Sequence, residues 1–390
     1  MTHTDLKTTP LCAACEAAGG KMVDFHGWLL PVQFKGILAE HKAVREAAGM
    51  FDVSHMGQFF VEGKDAWPFL QYINCNNIKN TPGVGTYSHI LTEKGTIIDD
   101  AISFCLTPEK FLVVVNAACI DGDFAWFTKQ AKNFNVTVRN ESADWAMIAL
   151  QGPKAVETAD KVVAGASDLP RFHIKEIELF GARGYMTRTG YTGEDGVEIL
   201  LPNNKIVELW AALLAHGVTP CGLGARDVLR LEAGYLLNGA DADQTRTPYE
   251  ANCGWVVKLA KENFVGKEAL AAQKAQGLKE KLTAFVLKSA GVPRAGCKIF
   301  VGAEEKGTLT SGTYSPLFKG IAVGYAALRF NHTAILSGRN LLAHLGQIYK
   351  YDIADFFLRV VADTHSGYAV CDTGPLVRFS KAAIFFGMHN

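Results

Sequence analysis

The chain has 390 residues, 48% of them apolar, enough to bury a large core and to fill two or three domains. Its 39 basic and 39 acidic residues cancel, so it lacks the basic footprint of a nucleic-acid binder. Nine scattered cysteines include one C-x-x-C, at Cys12 and Cys15, with no second pair at zinc spacing, which fits a reducing compartment better than a metal or disulfide framework. The first residues show no signal pattern and no apolar run reaches membrane-spanning length, so the expected location is the cytoplasm, with no membrane partner.

In chain order, residues 11–18 read as a helix whose two cysteines are small packed residues. Residues 86–92 and 96–105 flank Glu93-Lys94-Gly95 and read as a β-hairpin. Residues 110–116 are a short apolar run suited to a buried strand, and 135–139 and 145–150 add two more. Residues 120–131 carry Ile120, Phe124 and Phe127 at helical spacing; 153–163 and 206–214 are similar. Residues 227–237 predict a helix with Val228, Leu231 and Tyr235 on one face, ended by Asn238-Gly239, which sets Arg226 near a helix start. Residues 262–280, rich in lysine, alanine and glycine, read as a linker, after which 282–287 and 298–301 restart strand character. Hairpins outnumber strand–helix–strand units, so the fold class is α+β with mostly antiparallel sheets. The expected division is a core over residues 1–275, with room for two subdomains, and a smaller β domain over 276–390.

Two stretches carry candidate chemistry. From Arg188 to Glu198 three glycines surround Tyr191, Glu194 and Glu198, a composition that bends sharply and can wrap a planar heterocycle bearing N–H donors; the plain alternative is a hairpin with a solvated tip. Asp99 and Asp100 close an apolar strand segment. Successive strand side chains face opposite sides, so one of the two faces any given cavity. His26, His41 and His55 lie in different elements without ligand spacing and read as structural histidines, so no metal site is expected. The glycines at 222 and 224 mimic part of a dinucleotide fingerprint, but no strand is expected before them. Asp227 also stands where the third glycine belongs and would repel a pyrophosphate.

Five segments then occur in one order: residues 22–28 (MVDFHGW), 49–56 (GMFDVSHM), 97–100 (IIDD), 188–198 and 221–227 (CGLGARD). Together they resemble the aminomethyltransferase family, the T-protein of the glycine cleavage system, over residues 6–328. The resemblance implies a folate-binding core of sheets and helices plus a C-terminal β-barrel domain. It implies transfer of the one-carbon unit of an aminomethylated, lipoyl-bearing H-protein to tetrahydrofolate, with release of ammonia. It assigns the catalytic role to Asp100, Glu198 to the donor edge of the pterin with Glu194 as its rival, and Arg226 to the same cavity. Tyr87, Tyr191 and Tyr235 would line that cavity, Val114 and Asn116 would pass the pterin on a strand, and Tyr325 would reach in from the second domain. The assignment is chemically apt, because a carboxylate can accept from an amino group and a ring N–H together while a guanidinium donates to a carbonyl. Gly95-Thr96 departs from the double glycine usual there, and from residue 329 the usual β-rich ending is replaced by an atypical tail. A folate-dependent demethylase of the same fold and a non-catalytic folate-binding module are the competing readings.

Overall fold

The computed structural model describes residues 6–287, 291–301, 303–317, 321–329, 358–363 and 368–372. Contacts divide the chain into two units: residues 1–229, 243–248 and 255–271 form the first, and residues 230–242, 249–254 and 272–390 the second.

The first unit contains a three-stranded sheet of Lys7–Thr8, Trp28–Gln33 and Lys21–Phe25 and two larger sheets that carry its core. The hairpin expected around residue 94 forms from Gly85–Leu91 and Ile97–Thr107, and it extends through Lys110–Val115, Gly57–Glu62 and Thr137–Asn140 into a five-stranded antiparallel sheet. A six-stranded sheet runs in the order Ile174–Leu179, Ala182–Thr187, Gly196–Pro202, Trp145–Gln151, Gly49–Asp52 and Thr219–Pro220, antiparallel except for its last pair. That last two-residue strand precedes Gly222, where the sequence predicted none.

Alternation along these strands sorts the core into three layers. On the six-stranded sheet Ile148, Leu150, Ile199 and Leu201 face a cluster that includes Ile206, Leu209 and Leu213 of the Ile206–Ala215 helix. On the five-stranded sheet Ala101, Cys105 and Val113 face Phe69 and Phe127 of the Ala66–Ile73 and Ile120–Gln130 helices. The opposite faces meet in a middle layer, where Ile102, Phe104 and Val114 pack with Phe51, Ala149, Leu200 and Ala225. Burying a large aliphatic or aromatic side chain in such layers is worth about 1.5–3 kcal/mol each.

Two helices differ from the sequence expectation. The predicted linker contains the helix Lys267–Gln276, in which Leu270 alone is buried, too few apolar contacts to register as a period. The helix predicted at 227–237 instead spans Leu223–Ala233 and stops at Gly234, whose φ of 81° favours glycine. Gly222 precedes it because a Cβ there would lie 2.4 Å from the Val32 backbone. Arg226 therefore sits in the first turn.

In the second unit, Glu280–Leu287, Ile321–Arg329, Glu304–Ser315, Lys298–Val301, Tyr368–Asp372 and Leu358–Asp363 form a closed six-stranded barrel. Its last two strands come from the atypical tail, each joined to the barrel by a parallel pairing. Arg230 and Asp241 form a buried ion pair at 2.5 Å within this unit. Thr310 and Ser311 donate to Asp241 at 2.6 and 2.7 Å, and Arg230 Nη2 donates to Ser311 at 2.9 Å. Among the described residues no helix is long and apolar enough to cross a membrane.

Removing one partner of a buried, fully hydrogen-bonded pair strands the other charge. Asp241→Ala should therefore cost about 3–5 kcal/mol in urea unfolding; a loss under about 1 kcal/mol would contradict the structural weight placed on the pair.

Candidate active site

Two clusters of polar side chains border the middle layer of the first unit. The first is centred on Asp100. Asp100 shares a face with Ile102, and in the strand register it stands opposite His89, while Tyr87 stands opposite Ile102. Asp100, Tyr87 and His89 therefore project from the layer-facing side of the sheet, whereas Asp99 projects towards the helices behind it.

Asn116, just beyond the Lys110–Val115 strand, ties the two aspartates together. Its backbone N–H and Nδ2 donate to Asp99 at 2.9 and 2.8 Å, and Nδ2 also donates to Asp100 Oδ1 at 3.0 Å. Asp99 is wholly buried, and a hydrogen bond joins it to Asp123, in the first turn of the Ile120–Gln130 helix. Both Asp123 oxygens are buried without any donor, so that bond requires a proton on the pair. Burial raises both carboxyls, and the charge of Asp99 raises Asp123 as well, so the pair keeps one shared proton at neutral pH. Asp100 is half-buried; burial and then the negative charge of Asp99 push it up to about 7, against hydrogen bonds from Tyr87 and Asn116. The Tyr87 ring also stacks on Trp255, with centroids 5.7 Å apart.

The second cluster belongs to the six-stranded sheet and the helix that begins at Leu223. Glu198 stands directly opposite Ala149 and Thr187, so it faces the same middle layer. Thr189 donates to its Oε2 at 2.5 Å, and burial raises its pKa despite that bond and despite Arg226. The Arg226 guanidinium lies over the Tyr191 ring, 4.7 Å from its centroid, a cation–π contact. Its Nη1 is buried and has no acceptor. Beside it, Leu30, Pro31, Phe51 and Asp52 line a recess. His55, read from sequence as structural, is buried nearby in the electrostatic sense: burial and then Arg226 push it down to about 3.

The loop between these groups is closed by residues that the sequence did not single out for that work. Arg188 holds Asp195 in a two-armed pair at 2.8 and 2.7 Å and donates to the carbonyls of Ala166 and Leu169. Of the three glycines in this loop, Gly193 alone has a positive φ, 78°, and Gly190 is required because a Cβ would fall 1.8 Å from Gln151 Oε1. Glu194 is engaged by Arg45 at 2.8 Å, while Glu198 is not ion-paired by any direct contact.

The structure thus groups Asp100, Tyr87 and Asn116, and separately Glu198, Arg226 and Tyr191, with Val114 contributing to the layer both groups face. Tyr235 and Tyr325 belong to the second unit. There the Tyr235 carbonyl accepts from Arg230 at 3.1 Å, and Tyr325 pairs with Ala284 and Ser311. Asp99, inside the 97–100 motif, was left without a role, and His89 and Asp123 were missed because no motif marks them: strand register brings His89 to Asp100, and the Ile120–Gln130 helix brings Asp123 to Asp99. Among the described residues no group of three or more His, Cys, Asp or Glu is arranged to hold a metal ion.

A family model, the GCVT N-terminal domain, matches residues 11–261. An aminomethyltransferase from Chlorobaculum parvum is 46% identical over 320 residues, covering 80% of this chain and 87% of that protein. Another, from Desulfitobacterium hafniense, is 42% identical over 354 residues, covering 88% and 97%. The crystal structure of the glycine cleavage system aminomethyltransferase T from Bartonella henselae matches with a TM-score of 0.78 at 34% identity, covering 83% of this chain and 90% of that one.

An acid whose folded pKa stands above its unfolded value binds more protons when folded, so between the two values stability falls as pH rises. For Asp100 that window runs from its ordinary 3.8 up to about 7. Asp100→Asn should therefore exceed the parent in stability by about 2 kcal/mol at about pH 8, after discounting for partial exposure, and match it at about pH 4. Urea unfolding at the two pH values checks this; an unchanged difference between them would contradict the raised pKa.

Proposed function

The chain belongs to the aminomethyltransferase family, and from that premise we propose that it takes the one-carbon unit of an aminomethylated, lipoyl-bearing H-protein and passes it to tetrahydrofolate, releasing ammonia. The observation that carries this reading is Arg226. A buried guanidinium arm without an acceptor is costly, and it sits beside a half-buried carboxylate, Glu198, that no cation bonds directly. A pterin edge supplies the two missing complements: donors for Glu198 and an acceptor for Arg226. Tyr191 already lies against Arg226 and offers an aromatic face to a flat ring.

Tetrahydrofolate supplies the nitrogen that receives the carbon. The work left to the protein is mostly positioning, because two reactants held in line react as one molecule. Asp100 meets the remaining need. As the one-carbon unit leaves its sulfur, positive charge develops on it, and a carboxylate facing the same layer stabilises that charge. With its pKa pushed up to about 7, Asp100 can also take up or return a proton near neutral pH. Asn116 and Tyr87 hold its oxygens by hydrogen bonds, so the charge is oriented before substrate arrives. Val114 would pass the ring on its strand.

The direct test measures ammonia and methylene-tetrahydrofolate formed from aminomethylated H-protein. Arg226→Ala is expected to weaken tetrahydrofolate binding about 10- to 100-fold with kcat changed much less. Asp100→Asn is expected to lower kcat by about two orders of magnitude or more while affinity stays within about fivefold. Tight folate binding with no ammonia release in the parent protein would instead favour a binding module, and equal losses of kcat and affinity in Asp100→Asn would mark that residue as structural.

A further inference from the structure

His89 is a fully buried imidazole that the proposed reaction does not use. It stands directly opposite Asp100 in the strand register and two residues along from Tyr87, so all three share one face of the sheet. Its Nε2 lies 3.2 Å from the Tyr87 hydroxyl, and the two rings meet edge to face with centroids 5.6 Å apart. Its Nδ1 is buried without a partner. Burial alone pushes the ring down to about 3, so it is neutral and carries a single N–H.

The place of that hydrogen follows from its surroundings. On Nδ1 it would face no acceptor and would be a stranded buried donor. On Nε2 it meets the Tyr87 oxygen. An Nε2–H that donates to Tyr87 leaves the phenolic hydrogen for another acceptor, and Tyr87 does hydrogen-bond Asp100. With the opposite tautomer, a bare Nε2 would compete with Asp100 for the one phenolic hydrogen. The surroundings of Asp100 make this donation matter: burial and the charge of Asp99 from behind the sheet disfavour its own charge, while Tyr87 and Asn116 favour it.

We propose that His89 is a positioning residue whose Nε2–H turns the Tyr87 hydroxyl towards Asp100, so that the chain His89–Tyr87–Asp100 keeps this carboxylate charged to lower pH than its burial would allow. The kinetic consequence rests on the aminomethyl-transfer reading; the hydrogen-bond direction does not.

The tautomer is read first, by nitrogen-15 NMR of histidine-labelled protein. A hydrogen on Nε2 of His89 is expected, and a hydrogen on Nδ1 overturns the proposal whether or not the protein is an aminomethyltransferase. The effect is then read from the Asp100 titration in carboxyl-carbon-13 aspartate-labelled protein, with Asp100→Asn identifying the signal. His89→Leu removes the donor and is expected to raise the Asp100 midpoint by about one pH unit and to move the acid limb of the kcat profile the same way. His89→Gln, which keeps an N–H near the place of Nε2, is expected to retain the parent midpoint. In a Tyr87→Phe background, His89→Leu should add nothing further. Equal shifts in the Leu and Gln variants, or a Leu shift that persists without the Tyr87 hydroxyl, would show that His89 acts only by packing. Should His89→Leu not fold, the tautomer and the Tyr87→Phe shift still decide the matter, since an unmoved midpoint in Tyr87→Phe also overturns the proposal.

Discussion

One amide holds two adjacent carboxylates in the interior of this protein, and the rest of the Asp100 cluster depends on that contact. Asn116 Nδ2 reaches Asp99 and Asp100 together, although strand geometry sends the two side chains to opposite faces. A single neutral donor cannot balance two buried negative charges. The structure divides the problem between the two sides of the sheet. Behind it, Asp99 shares a proton with Asp123. In front of it, Asp100 is left with a raised pKa and with Tyr87 and Asn116 as its supports. The result is an acid whose charge can change near neutral pH at modest energetic cost.

The second cluster solves a similar problem with opposite signs. Arg226 buries its Nη1 away from water yet forms no direct ion pair; it leans on the Tyr191 ring and feels Glu198 at a distance. Glu198 spends one oxygen on Thr189. Both groups thus keep hydrogen-bonding capacity that the fold does not consume. Glu194 shows the contrast, because Arg45 has already claimed it. Strand alternation turns Glu198 and Asp100 towards the same apolar layer, from two different sheets. That arrangement suits a flat ligand read at one edge and reacting at another.

Much of this was legible along the chain. The hairpin around residue 94 and the strand at Lys110–Val115 declared themselves by apolar runs and a turn, and the Ile120–Gln130 helix by Ile120, Phe124 and Phe127. The family resemblance supplied Asp100, Glu198 and Arg226, which periodicity alone could not have separated from exposed strand ends. What stayed hidden was either weakly amphipathic or non-local. The Lys267–Gln276 helix buries only Leu270, so its composition read as a linker. The Leu223–Ala233 helix starts four residues earlier than expected because Gly224, which reads as a loop residue, sits inside it against Ile37. His89 and Asp123 carry no motif; their meaning comes from register across a strand pair and from a helix packed behind it. The last two barrel strands lie in a tail that no longer follows the family pattern, so they could not be read from the resemblance.

The central claim is that the free arm of Arg226 and the carboxylate of Glu198 are completed by one edge of a reduced pterin, with Asp100 facing the carbon that moves. A crystal structure of the tetrahydrofolate complex tests it most directly. The account requires the pterin amino group and ring N–H within hydrogen-bond reach of Glu198, its carbonyl on Arg226 Nη1, and the reacting nitrogens turned towards Asp100. A folate bound elsewhere, with Arg226 Nη1 still lacking an acceptor, would contradict it.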